Sequence, residues 1–330
     1  GLNHAHIHNQ VGALVRGGGA LVAFLAREDD LADAFAKRYP QARRARSARE
    51  ILDDPRITLV TSASIPDERA PLGLEVMRAG KDFLADKPGI TTLEQLAEVR
   101  RVQAETRRIF SILYSERLEN RGTVRAGQLV KDGAIGRVVQ TIGLGPHRIK
   151  TAPRPDWFWD RARFGGILCD IGSHQFDQFL FFTGSTRADV VSAQAGNVAH
   201  PEHPGFEDFA DATVQGDGGF GYVRVDWFSP DGLGTWGDGR LTVLGTDGYI
   251  EVRKNVDLAG RAGGDHLFLV DGTQARYFDC RDVSLPFGPA LVRDVRERTE
   301  TAMPQAHCFL ATELALRAQL LARRVGPTAG

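Results

Sequence analysis

The sequence predicts an α/β protein in two parts, a doubly wound parallel sheet followed by an α+β domain on an open, mainly antiparallel sheet. Three observations carry this. Short apolar runs alternate with helical patterns over the first 113 residues. Beyond residue 118 the style changes, and from Val190 strand-like runs follow one another without helices between them. At 330 residues the chain is too long for one average domain and suits two. The domains are expected at 1–118 and 119–330, with a C-terminal helix over 303–324.

In order, Ile7, Val11, Leu14 and Val15 share one helical face, and Leu21 to Leu25 reads as a buried strand. Leu31, Ala34 and Phe35 mark a second helix. Ser47 and Glu50 have capping-box spacing ahead of Ile51 and Leu52. Ile57 to Thr61 is a strand, and Pro66 to Ala79 a helix stopped by Gly80. Asp82 to Ala85 is a strand that ends at Lys87. Thr91 and Glu94 cap a helix carrying Leu93, Leu96, Val99 and Val102, and Ile109 to Leu113 closes the series. The second part holds a helix at 122–132, a strand at 138–142 and a helix around Asp170. Strand runs follow at 190–198, 212–215, 221–228, 240–245, 249–253 and 266–271. Thr246-Asp247-Gly248 and Asp271-Gly272 are hairpin signals.

Composition narrows the function. Lys and Arg total 41 against 42 Asp and Glu, with no basic stripe, so nucleic acid is not an expected partner. No apolar run reaches the roughly 18–20 residues of a membrane span, and no signal peptide is visible. Cys169, Cys280 and Cys308 are odd in number and widely spaced, which suggests a reduced, cytoplasmic protein.

Gly1-Leu2-Asn3-His4-Ala5-His6 stands where a dinucleotide turn would stand, between a first strand and a first helix. Of its glycines only Gly1 remains; Asn3 tolerates the left-handed conformation, and His6 takes the third place. The helix start offers backbone N–H groups to a pyrophosphate. The first strand is expected to lie before Gly1, outside the given sequence. His4, His6 and His8 alternate, but on a helix start such residues diverge, and no metal is expected. Where an NAD enzyme carries a ribose-binding acid the chain has Ala26, followed by Arg27, which suits a 2′-phosphate; Glu28 or Asp29 could reach the ribose instead.

Two features, roughly eighty positions apart, point to proton transfer: Lys87 at a strand end, and Asp170 with His174 at helical i, i+4 spacing. An imidazole with a pKa of about 6.5 suits a general base on a hydroxyl. Asp170 can orient it or bind substrate. Lys87 can polarise a carbonyl oxygen at the crevice where open α/β sheets bind ligands. Gly172 costs a helix about 1 kcal/mol relative to alanine, which suggests a close approach there. The bland readings are a solvated lysine and a local Asp–His pair. Glu116 and Arg117, after the last strand of the first part, His147 at a strand end and Trp157 in an aromatic-acidic run are further substrate-contact candidates. His200 and His203 read as a loop.

Ala79-Gly80-Lys81-Asp82-Phe83-Leu84-Ala85-Asp86-Lys87-Pro88 resembles the "aGkhvl-EKP" segment of the glucose–fructose oxidoreductase / inositol dehydrogenase / rhizopine-catabolism (Gfo/Idh/MocA) family, with Asp86 for Glu. Gly165-Gly166, Asp170, Gly172, His174 and Asp177 are similar to its "GG-x3-D-x-G-x-H-x2-D" segment. Ser62, Ala63, Ile65 and Pro66 resemble the loop that lies along the cofactor, with Arg69 for a common histidine. The resemblance spans essentially the whole chain. It implies a Rossmann domain, NAD or NADP bound near Asp86, Lys87 and Pro88, and a Lys/Asp/His site acting on sugars, inositols or polyols. It also implies homodimers or homotetramers formed through the C-terminal sheet. Ala26 and Arg27 look more like NADP-using members. Two alternatives stand beside a dehydrogenase or reductase: redox-assisted glycoside cleavage with tightly held NAD, and a non-enzymatic sugar or dinucleotide sensor. Retention of Lys87, Asp170 and His174 speaks against the sensor.

Overall fold

The computed structural model describes residues 1–149 and 154–326. The chain divides into two compact units, Gly1–Leu113 with Pro286–Phe309, and Tyr114–Leu285 with Leu310–Gly330. The sequence suggested a continuous second part from 119; the structure instead returns residues 286–309 to the first unit.

The first unit opens with α1 (Ile7–Arg16), β1 (Ala23–Phe24), α2 (Asp29–Arg38), β2 (Arg43–Arg44) and α3 (Arg49–Leu52). It continues with β3 (Leu59–Ser62), α4 (Pro66–Arg78), β4 (Asp82–Asp86), α5 (Leu93–Thr106) and β5 (Phe110–Leu113). All pairings are parallel, as β1–β2 and as β3–β4–β5. All five residues of β4 are buried, which suits a central strand covered on both faces. A cavity of about 770 Å³ lies between β1 and β3, with Ile7, Val11 and Leu14 of α1 on its wall. Gly1, Asn3, Ala26, Arg27, Glu28 and Ser64 line it as well.

Local chemistry explains both ends of α4. Pro66 starts α4, and Gly80 at φ +79° ends it, as a C-cap glycine should. Two caps differ from the sequence reading. Thr92, not Thr91, caps α5, accepting from the Gln95 N–H at 3.1 Å. The Ser47/Glu50 box does not form: α3 begins after Ala48 with no side-chain cap, and Glu50 accepts from Arg43 at 2.6 Å. The same Oε2 also accepts from the Arg46 N–H at 3.4 Å, so the carboxylate is turned to Arg43 and Arg46 and not back to Ser47.

The second unit contains α6 (Ser115–Leu118), α7 (Arg121–Lys131), β6 (Val138–Pro146), α8 (Arg161–Phe164), α9 (Ile167–Asp170) and α10 (Gly172–Thr183). Strands β7 (Ala188–Gly196), β8 (Phe209–Gly216), β9 (Phe220–Asp226), β10 (Arg240–Gly245), β11 (Gly248–Arg253), β12 (His266–Asp271) and β13 (Ala275–Asp279) follow. Helix α11 (Phe287–Glu297), which packs on α1 in the first unit, precedes α12 (Gln305–Leu321) and β14 (Arg323–Val325). One open nine-stranded sheet runs β13-β12-β11-β10-β6-β9-β8-β7-β14. It is mostly antiparallel, with β6–β9 and β7–β14 parallel. β13, α11 and β14 were not anticipated, and the helix expected over 303–324 gives way to β14 at its end. β13 and β14, five and three residues long, carry little periodic signal; α11 does carry an amphipathic pattern, with Phe287 and Leu291 buried, that the sequence reading passed over.

Helix α10 covers β6 and β9. Glycines make this approach possible: a Cβ at Gly221 would lie 2.7 Å from Phe179, and one at Gly143 2.5 Å from Gln175. The opposite face is open, and the register sets Phe220, Gln140, Leu244 and Tyr249 side by side across four strands. Phe220, Leu244 and Tyr249 are all exposed there. The three cysteines are buried and form no disulfide. No described helix is long and apolar enough to cross a membrane.

Candidate active site

The candidate residues fall into two groups, one in each unit. The first gathers at the C-terminal ends of β3 and β4, where a parallel sheet presents its crevice. Ser62 ends β3, and its hydroxyl accepts from the Ser64 N–H at 3.2 Å. The Ala63 N–H donates to Gly1 O at 3.1 Å, and the His4 N–H donates to Ala63 O at 3.0 Å. Gly1 lies so close to this loop that a Cβ would meet that of Ser64 at 2.3 Å, so this position tolerates only glycine. Ile65 precedes Pro66 at the first turn of α4.

Lys87 follows β4 directly and is only 6 % exposed. Its backbone is held by Arg69, a guanidinium 1 % exposed inside α4. Arg69 donates from Nη1 to Lys87 O at 2.5 Å and Pro88 O at 3.1 Å, and from Nε to Ser64 O at 2.7 Å. Its Nη2 stands 3.3 Å from Asp86 Oδ2. His6 Nδ1 is 3.0 Å from Asp86 Oδ1, and His4 Nδ1 3.9 Å from Oδ2. Burial works against an ionised Asp86, but His6 and Arg69 outweigh it and hold its carboxyl well below the usual range. Partial burial, with His6 beside it, keeps the His4 imidazole neutral well below its ordinary pKa.

Helical spacing predicts that His4 and His6 diverge; instead both turn to Asp86, their ring centroids 3.9 Å apart. The regular α-helix begins only at Ile7; His4 to His6 lead into it through a turn with i→i+3 bonds, the Ile7 N–H to His4 O at 3.2 Å and the His8 N–H to Ala5 O at 3.1 Å. His8 goes elsewhere, to Tyr39. His4, His6 and Asp86 could together present three ligand atoms. Arg69 already supplies the positive charge that a metal would bring to this carboxylate, so the donor set fits a cation poorly.

At the edge of the cavity, Asn3 Nδ2 donates to Glu28 Oε1 at 2.9 Å. Arg27 points into solvent, its nearest counter-charge Glu68 at 3.5 Å. The sequence set Arg27, for a 2′-phosphate, against Glu28 or Asp29, for the ribose; Glu28 is held at the cavity edge, whereas Asp29 pairs with Arg44 at 2.5 Å and does not line the cavity. Ala26 is buried. Glycine at position 1, the helix start and this carboxylate fit the adenosine end of a dinucleotide.

The second group surrounds α10. Asp170 is the last residue of α9, and His174 lies in the first turn of α10, after a junction at Ile171. One continuous helix was expected; Ile171 keeps helical dihedrals, so the helical path continues across the break. His174 is 2 % exposed, and Tyr114 meets it edge-on at 6.2 Å. Glu116 accepts from Gln175 at 2.9 Å and from Lys254 at 2.5 Å through the same oxygen. Burial opposes its charge, but Lys254, with His174 and His147, holds its carboxyl well below the usual range. His147 lies edge-on to Trp236 at 4.6 Å and Trp227 at 5.4 Å. Arg117 is committed elsewhere: it grips Asp177 at 2.6 and 2.7 Å and lies over Phe181. Trp157 stands edge-on to Phe158. Arg154, placed over Phe158, feels the charge of Asp170.

Comparison with known proteins then decides the family. Residues 2–114 match the oxidoreductase family with an NAD-binding Rossmann fold, and residues 123–251 match the GFO/IDH/MocA C-terminal domain. The chain belongs to the Gfo/Idh/MocA family of oxidoreductases. The crystal structure of an oxidoreductase from Erwinia carotovora atroseptica SCRI1043 superposes with a TM-score of 0.95 at 49% identity, covering 98% of both chains. D-xylose dehydrogenase of Paenarthrobacter nicotinovorans is 25% identical over 42% of this chain and 37% of its own length. 1,5-anhydro-D-fructose reductase of Ensifer adhaerens is 25% identical over 62% of this chain and 60% of its own. The chain therefore spans less than two thirds of the length of either curated relative.

Arg69, Gln175 and Lys254 were not expected among the site residues of this family member. Arg69 registered only as a replacement for histidine. Lys254 sits in Arg253-Lys254-Asn255, which reads as a solvated charge run. Only tertiary burial separates it from its neighbours.

Proposed function

We propose that this protein is a nicotinamide-dependent oxidoreductase that moves a hydride between coenzyme and a secondary hydroxyl or carbonyl carbon of a sugar, inositol or related polyol. The observation that carries this reading is Lys87: a nearly buried lysine at the C-terminal end of the central strand, its backbone pinned by a buried arginine. A surface lysine needs no such support. Sugar-acting relatives make polyols the natural substrate class.

The nicotinamide, when bound, supplies the hydride acceptor or donor. His174 takes the hydroxyl proton during oxidation and returns it during reduction. Asp170, one turn earlier, orients that imidazole or binds a second hydroxyl. The Lys87 ammonium holds the reacting oxygen and stabilises charge as it becomes a carbonyl. The anchored Glu28 favours a ribose 2′-hydroxyl over a 2′-phosphate, so we assign NAD ahead of NADP, against the reading from Arg27. Self-association through the open sheet face is proposed from the exposed row of Phe220, Leu244 and Tyr249.

The test is steady-state turnover with NAD and NADP against D-xylose, D-glucose, scyllo-inositol and levoglucosan, for wild type, Lys87→Ala and His174→Ala. Each variant is expected to lose turnover by roughly 100-fold or more while keeping its circular dichroism spectrum. Wild-type rates in Lys87→Ala would remove the proposal.

A further inference from the structure

Lys254 and Glu116 form a buried charge pair; the sequence offered Glu116 as a substrate contact, but the proposed hydride and proton transfers do not require the pair. Their residues are 4 % and 7 % exposed, and the ammonium meets only Oε2. Gln175 uses that same oxygen. Oε1 is buried as well, yet accepts no hydrogen bond among the described residues. A pair kept for stability alone would satisfy both oxygens, because a buried unpaired acceptor is costly and an apolar pair of equal volume often serves better.

The fold takes trouble to build this arrangement. Lys254 follows β11 and is pinned on both sides: its N–H donates to Gly239 O at 2.9 Å, and its carbonyl accepts from the Asp265 N–H at 3.0 Å. Gly143 and Gly145 leave room for Gln175; Cβ atoms there would lie 2.5 Å from its Oε1 and 3.0 Å from its Nε2. Gln175 is the neighbour of His174 in sequence, and the charges of His174 and His147 both reach Glu116. His147 in turn stands against Trp236, which is half exposed. A carboxylate, an ammonium and an aromatic wall are what a ring bearing adjacent hydroxyls requires.

We propose that Glu116 and Lys254 form a hydroxyl-recognition subsite, with Glu116 Oε1 accepting from one hydroxyl of a polyol and the Lys254 ammonium donating to the neighbouring oxygen. This rests on the polyol oxidoreductase reading and adds to it a specificity-determining pair. Access to Oε1 requires the covering side chains to give way, which a ligand supplying the missing hydrogen bond can drive.

The experiment uses full-length protein, saturating coenzyme, the four sugars named above and their monodeoxy analogues, with Glu116→Gln and Lys254→Gln. Both variants are expected to raise KM roughly 10- to 100-fold with a smaller fall in kcat. One deoxy analogue should be as poor for wild type as its parent is for the variants, and the variants should no longer distinguish the two. An unchanged KM, or variants that still discriminate every deoxy analogue as wild type does, overturns the subsite. If Lys254→Gln does not fold, the near-isosteric Glu116→Gln is read alone against the same series. If wild type turns over no sugar, the oxidoreductase reading fails separately. The subsite is then read by saturation-transfer NMR with the same sugars. A sugar signal present in wild type and absent in Glu116→Gln supports it; no signal in wild type overturns it.

Discussion

Replacing Asp86 by asparagine tests how the first unit holds Lys87. The carboxylate is 2 % exposed and stands 3.3 Å from the guanidinium of Arg69, itself 1 % exposed. Asparagine keeps the shape and removes the charge, leaving a buried guanidinium without this counter-charge. Breaking a buried pair in this way costs about 3–5 kcal/mol, and neither group is exposed enough for solvent to soften the loss. The pH dependence gives a second reading. The folded carboxyl is held well below the usual range, so its contribution is present above the unfolded pKa of about 3.9 and fades as pH falls toward the folded value. Below that unfolded pKa the unfolded chain binds a proton that the native state refuses, and stability should rise with pH by up to about 1.4 kcal/mol per unit. Asp86→Asn should lack this component, so the gap between variant and wild type should narrow as the solution is acidified from pH 6 to pH 3. All four tryptophans, Trp157, Trp159, Trp227 and Trp236, lie in the second unit, so their fluorescence would report on the wrong half. Hydrogen exchange of the β4 amides in urea is the suitable assay. A loss below about 1 kcal/mol at pH 7, or a gap that does not change with pH, would refute the charge-clamp argument.

Glu28→Ala should shift coenzyme preference toward NADP, read as the ratio of kcat/KM for the two coenzymes; a ratio that stays put leaves Glu28 no part in ribose recognition. Gly73→Ala places a Cβ 2.5 Å from Phe110 and 2.7 Å from Phe83, and should destabilise the first unit by about 1–3 kcal/mol by urea titration. Leu244→Glu puts a charge in the exposed row between Gln140 and Tyr249, and should lower the molar mass measured by light scattering if that face carries self-association.

The elements legible in the sequence were those whose burial enforces a period. β4 is apolar along its middle because both faces are covered, and β10 to β12 alternate because one face is. Gly80 and Pro66 marked their helix ends through backbone preferences that act locally. The expectations that failed depended on competition. Ser47 and Glu50 have the spacing of a capping box, but Arg43 lies closer in space to Glu50 than the spacing can reveal. β14 pairs with β7, a partner some 130 residues away, and three residues carry no pattern of their own.

The site follows the same division, and this has a consequence for how its chemistry is encoded. Lys87, Asp170 and His174 stand out in sequence because short motifs surround them. The residues that set their surroundings do not. Arg69 is one of two arginines in α4, and what distinguishes it from Arg78 is that its guanidinium bonds three backbone carbonyls near Lys87. Gln175 matters because two glycines on β6 admit it. A reacting group needs a particular side chain at a particular backbone position, and that leaves a local imprint. Its support needs only a donor or acceptor arriving from any element at the right distance, and many sequences can meet that demand. Substrate choice in this chain should therefore move with Glu116, Gln175 and Lys254, while Lys87, Asp170 and His174 stay fixed. Exchanging the first three should alter which sugar is used before it alters whether any sugar is used.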